Sequence, residues 1–176
     1  MKVIILETSG VLNDYNSLTE YVNHYFNYVN KSDCLRGYDE SKFMLLSKIC
    51  NELGAGVVLP SSWKFYFSDD QRFDNELTRI IKEFKKFNIP FLGFTPDMRD
   101  EDIKCRETIE ESNIDEYLNN NKKIENFCLI TTDNYDLDGF QDNRVITDFN
   151  EDGLGNGGLL PHHEKEIAKI LSRKSK

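Results

Sequence analysis

The sequence predicts a three-layer α/β sandwich around a mostly parallel five-stranded sheet, with a small inserted cap segment at 14–38. Three observations carry this. Short apolar runs recur at 2–6, 54–60, 89–95, 126–131 and 144–147. Stretches with helical spacing separate them. The connections are long enough for parallel crossovers, which need a dozen or more residues. A chain of 176 residues suits one α/β domain, 1–176, and is short for two.

Each element follows from local pattern. Lys2-Val-Ile-Ile-Leu6 is short and β-branched and runs into a turn, as a buried strand does. Residues 17–30 place Leu18, Tyr21, Val22, Tyr25 and Val29 at helical spacing. Residues 39–53 do the same with Phe43, Leu46, Cys50 and Leu53. Gly54 then stops the helix and 55–60 reads as a strand. Ser68 with Gln71 resembles a capping box. The helix it would open carries Phe73, Leu77, Ile80, Ile81, Phe84 and Phe87. Residues 89–95 form a third strand. Residues 99–120 are charged and helical, with a break expected near Ser112-Asn113. Strands at 126–131 and 144–147, a glycine-rich loop and a helix at 162–172 complete the chain.

Composition narrows the function. The formal net charge is −9, which opposes a broad nucleic-acid surface, because phosphate neutralisation needs clustered Lys and Arg. No run of 18 apolar residues is present, so no membrane partner is expected. Only four apolar residues stand between Lys2 and Glu7, too few for a signal peptide. Cys34, Cys50, Cys105 and Cys128 are scattered without a CxxC pair. Unpaired thiols fit a reduced, cytoplasmic setting.

Parallel sheets bind ligands outside the C-terminal ends of their strands. That rule selects 7–13, 61–64, 95–99 and 131–138. The quoted stretches are VIILETSGVLN, VVLPSSWK, GFTPDMRDEDI, CLITTDNYD and VITDFNEDGL. In this order and spacing they resemble the haloacid dehalogenase-like (HAD) phosphatases, a Rossmann-like fold. The likeness is greatest to the HAD domain of Swiss-army-knife RNA-repair proteins and covers nearly the whole chain. Its more specific parts are Gly10-Val11-Leu12-Asn13 and Ser61-Ser62-Trp63-Lys64.

The resemblance implies a chemistry. A strand-end aspartate attacks phosphorus. A second aspartate two residues on acts as acid and base. A Ser/Thr and a Lys/Arg hold the phosphoryl oxygens. Acids after the fourth strand hold Mg²⁺.

This sequence departs from that pattern where the chemistry sits. Glu7 occupies the nucleophile's position. Its extra methylene displaces the carboxylate by about 1 Å, an error worth about 10²-fold in rate. Ser9 occupies the acid/base position, with a further loss of about 10²- to 10⁴-fold. Thr131 and Thr132 align with metal-binding acids. The implied phosphate cradle survives as Ser61 or Ser62, Lys64, and Arg99 or Lys104.

The expectation is therefore a degenerate phosphotransfer site that acts by binding a phosphorylated ligand or a protein partner. No cofactor is expected. The alternative is a weak Mg²⁺-dependent phosphatase acting on a phosphorylated small molecule or nucleic-acid end. Its metal would sit on Glu7, Asp133 and Asp138, an acidic loop that otherwise reads as solvated turn.

The remaining candidates read as structural. Trp63, the one tryptophan, fits a core anchor better than a lid over the phosphate site. Neighbouring positions on a helix diverge by roughly 100°, so His162 and His163 are expected as surface residues that share no metal. His24 fits packing, and Asp100-Glu101-Asp102 fits a helix N-terminal turn. The tyrosines of 14–38 suit either a lid or a helix packed on the sheet.

Overall fold

The computed structural model describes residues 1–17, 19, 37–61, 70–97, 106–132 and 137–173, with side chains described in these except at 70–73, 106–110 and 138. Five strands form one sheet: β1 Lys2–Leu6, β2 Ala55–Leu59, β3 Phe91–Phe94, β4 Asn126–Thr132 and β5 Arg144–Thr147. Helices accompany them among the described residues: α1 Glu40–Leu53, α2 Asp70–Lys86, α3 Arg106–Asn120 and α4 His163–Leu171. A 3₁₀ segment, Asp138–Asn143, leads into β5.

The strand order is β3-β2-β1-β4-β5. Every pairing is parallel, from Lys2 opposite Ala55 on one side of β1 to Leu6 opposite Ile130 on the other. The sheet is built outward from β1 in both directions, so winding reverses between β1 and β4. That reversal opens a crevice at the strand ends, where ligands of such sheets bind.

Side chains alternate across the sheet with period two. Ile4, Leu6, Val57, Leu59 and Ile130 face Phe43, Leu46 and Ile49 of α1, Ile80 and Phe84 of α2, and Ile167, Ile170 and Leu171 of α4. Val3, Ile5, Val58 and Leu129 face Ile114 and Tyr117 of α3, with Leu137 and Phe140. Both faces are covered, which is why the strands read as continuous apolar runs.

Helix ends match their chemistry. Asp39 caps α1 by accepting from the Ser41 N–H. Gly54 ends α1 at φ 64°, a left-handed conformation glycine adopts without a Cβ penalty. The expected break near Ser112-Asn113 does not occur, and α3 runs through both residues. Asn113 is fully buried and its amide donates to the Ser61 hydroxyl at 3.0 Å. A polar residue that looked like a helix breaker is a tertiary contact.

Most of the expected helix at 17–30, and Ser68 of the expected capping box, lie outside the described residues. Cys50 and Cys128 are free and buried. Burial pushes the Cys50 thiol up to about 12 and raises that of Cys128, so neither is a ready nucleophile. Among the described residues, no helix is long and apolar enough to cross a membrane.

Candidate functional site

Glu7 follows β1 directly and continues its ladder, its N–H donating to Ile130 O at 3.0 Å. This places its side chain in the crevice between β1 and β4. Beyond it the chain turns sharply. Leu12 N–H donates to Thr8 O at 3.0 Å, and Gly10 N–H donates to Asn13 Oδ1 at 2.7 Å. Thr8 and Asn13 are buried, while Ser9 is exposed at the tip.

One oxygen of Glu7 receives three hydrogen bonds from the end of β4. The Thr131 hydroxyl donates to Oε2 at 2.7 Å, the Thr132 N–H at 3.0 Å and the Thr132 hydroxyl at 3.1 Å. Both threonines are buried. Thr147, at the end of β5, donates its hydroxyl to Gly10 O at 2.6 Å and is itself buried. The ends of β1, β4 and β5 are thus tied by side-chain hydroxyls. Carboxylate oxygens accept several donors, and here the acceptor capacity of Oε2 is filled from within the protein.

The phosphate side is organised differently. Ser61 lies at the end of β2 and is buried. Its hydroxyl donates to Pro96 O at 2.7 Å and accepts from Asn113 Nδ2 at 3.0 Å, while its N–H donates to Thr95 Oγ1 at 2.9 Å. The Ser61 hydroxyl therefore ties β2 to the end of β3 and to α3, and its proton is directed inward. Ser62, Trp63, Lys64, Arg99 and Lys104 lie outside the described residues, as do Asp133, Asp136 and His24. Of Asp138 only the backbone is described.

The family chemistry implied by these positions typically uses Mg²⁺, which takes oxygen ligands, carboxylates foremost. The described residues around Glu7 supply one carboxylate, plus two hydroxyls and an amide whose donors already point at it. Glu7 joins no group of three ligating side chains among the described residues. The side chains of Asp133 and Asp138, the other acids expected to hold the metal, lie outside the described residues.

His162 is exposed, as expected, but His163 differs from expectation. His163 is buried, and its Nε2 lies 3.1 Å from that of His162. The helical angle fixes only where Cβ atoms point. The His163 ring is anchored through Nδ1, which accepts the Leu160 N–H at 3.0 Å, and the ring tips converge. Burial, and then the neighbouring His162, hold the His163 imidazole below its ordinary range. Asn113 and the Glu151–His162–His163 group were missed in sequence. Asn113 looked like a breaker, and spacing alone could not bring Glu151 to the histidines.

No curated protein and no solved structure matches the chain. A family model does: residues 3–156 match that of the HAD domain in Swiss Army Knife RNA repair proteins. The match spans β1 through β5 and the loop beyond, with Glu7 and the two β4 threonines inside it. The chain belongs to this family of HAD domains.

Proposed function

We propose that the chain is a HAD-fold protein whose phosphotransfer site no longer turns over, and that it acts by binding a phosphorylated ligand. The observation that carries this reading is the clamp on Glu7. In the family's chemistry the residue here must offer a free carboxylate oxygen to phosphorus, within about 3–3.5 Å and in line. The three donors of Thr131 and Thr132 all fall on Glu7 Oε2, so the carboxylate is turned toward β4 and its direction is set by the protein, with Oε1 alone left to face a ligand. Those threonines stand where acids would hold Mg²⁺, and Ser9 lacks the carboxylate that would move the proton. Nucleophile, acid/base and metal positions have all changed in one direction.

Binding would rest on the segments that follow β2 and β3 in sequence. Ser62, Lys64 and Arg99 or Lys104 supply donors suited to a phosphoryl group. Ser61 fixes the end of β2 from which that segment departs. A site of this kind needs no metal.

Calorimetric titration in excess chelator, with a terminally phosphorylated dinucleotide and with inorganic phosphate, tests this. Binding is expected without Mg²⁺. Lys64→Ala should weaken it by about 10- to 100-fold, the worth of one charged hydrogen bond of roughly 1.5–3 kcal/mol. Binding that requires Mg²⁺, or that is indifferent to Lys64→Ala, would contradict the proposal.

A further inference from the structure

A second group of ligating side chains lies apart from the Glu7 crevice, where the loop after β5 meets α4. Glu151 Oε1 is 2.9 Å from His162 Nε2, and Glu151 Oε2 is 3.9 Å from His163 Nε2. The two Nε2 atoms are 3.1 Å apart. The His163 side chain is 6% exposed, with its Nε2 aimed into the group.

Protons alone do not satisfy these contacts. A neutral imidazole carries one N–H. Nδ1 of His163 accepts from Leu160, so its proton sits on Nε2 and points at His162. If His162 Nε2 presents a lone pair to that proton, the same lone pair faces a carboxylate oxygen at 2.9 Å. If His162 Nε2 carries a proton for Glu151, two N–H groups face each other across 3.1 Å. While the Leu160 N–H holds Nδ1 of His163 as an acceptor, no arrangement of protons on two neutral imidazoles and a carboxylate satisfies both contacts. A protonated His162 leaves the same conflict, because its Nε2 still carries a proton.

A cation at the centre would draw a lone pair from each of the three groups. A metal with bonds of about 2.1 Å holds its ligand atoms roughly 3.0–3.4 Å apart. Glu151 Oε1 and His163 Nε2 lie 2.9 and 3.1 Å from His162 Nε2, near that range, and one ligand atom from each of the three residues falls within 4.8 Å of the others.

We infer that Glu151, His162 and His163 form a binding site for a divalent cation of the Zn²⁺ class. Two imidazoles and one carboxylate select a borderline cation over Mg²⁺, which takes oxygen ligands. Three protein ligands leave a fourth position, and the partial exposure of His162 and Glu151 lets water fill it. Ligation moves the His163 proton to Nδ1, so the Leu160 N–H must turn away from that nitrogen and its hydrogen bond is given up for a coordinate bond. The bound ion would staple the glycine-rich loop to the start of α4. That loop reaches the floor of the crevice, since Leu159 N–H donates to Val11 O at 2.8 Å. The ion would therefore stabilise the folded chain by mass action.

The test is a Co²⁺ titration of the full, tag-free, metal-stripped chain near neutral pH, followed by visible absorption and then competed with Zn²⁺ and Mg²⁺. One Co²⁺ per chain is expected, displaced by Zn²⁺ and not by Mg²⁺, with a rise in Tm on Zn²⁺ addition. His162→Ala and Glu151→Gln alter exposed side chains, so the fold, checked by circular dichroism, should survive. Each should weaken binding by at least about 100-fold, the upper end of what losing even an outer-shell partner costs. Absence of the Co²⁺ band, displacement by Mg²⁺, or equal binding by both variants and the wild type would overturn the inference.

Discussion

Lys42→Met is expected to lower the stability of the chain by about 3–5 kcal/mol, the usual cost of removing one partner of a buried ion pair. Lys42 sits in the first turn of α1 with its ammonium 3.6 Å from Asp14 Oδ2 and 3.6 Å from Asp39 Oδ2. The side chains of Lys42 and Asp14 are each 6% exposed, so water cannot replace the lysine. Asp14 Oδ1 accepts the Ser17 N–H at 2.9 Å, which leaves Oδ2 facing the lysine's position. The loss is large against a typical total of roughly 5–15 kcal/mol. It should be read from urea unfolding of the single variant beside Lys42→Met/Asp14→Asn. The double variant removes the orphaned charge while keeping the Ser17 bond, and should recover at least half of the loss. A single-variant loss below about 1 kcal/mol would show that the pair is solvated in solution.

Gly10→Ala is the second large effect, and it acts on the site itself. Gly10 is buried at φ 74°, where an L side chain is strained. A Cβ there would collide with Thr132 Cγ2 and with the Phe149 ring. Thr132 is the residue whose amide and hydroxyl hold Glu7. Left-handed strain of about 1 kcal/mol and overpacking of about 1–3 kcal/mol together give a loss of roughly 2–4 kcal/mol. Relief of the clash must move Thr132 or Phe149, so the Thr132 amide and methyl resonances should shift more than those of Ile114 on the opposite face of the sheet. Wild-type stability with unmoved Thr132 resonances would contradict the packing described.

Much of the scaffold was legible because its signals are local. The β5 span reads directly from Arg144-Val-Ile-Thr147, and Gly54 marks the end of α1 because a left-handed cap favours glycine. The grouping of 7–13 with 131–138 followed from the rule that parallel strands share a crevice at their C-terminal ends. What the grouping could not supply was the direction of the hydrogen bonds, which turns three neighbouring residues into a clamp. Asn113 and Ser61 are 52 positions apart, and only the packing of α3 beside β2 makes them partners. The histidine pair failed for a geometric reason. The helical angle governs Cβ vectors, whereas ring tips lie farther out and follow their own anchors, here the Leu160 N–H.

The central claim is that Glu7 is held as an acceptor by β4 and does not attack phosphorus. The most direct test measures Mg²⁺-dependent hydrolysis of an aryl phosphate by the wild type beside Glu7→Gln, which keeps one oxygen for the threonine donors but removes the nucleophilic charge. Identical background rates in the two proteins are the predicted result. Wild-type turnover above background that vanishes in Glu7→Gln would contradict the account and make Glu7 a working catalytic group.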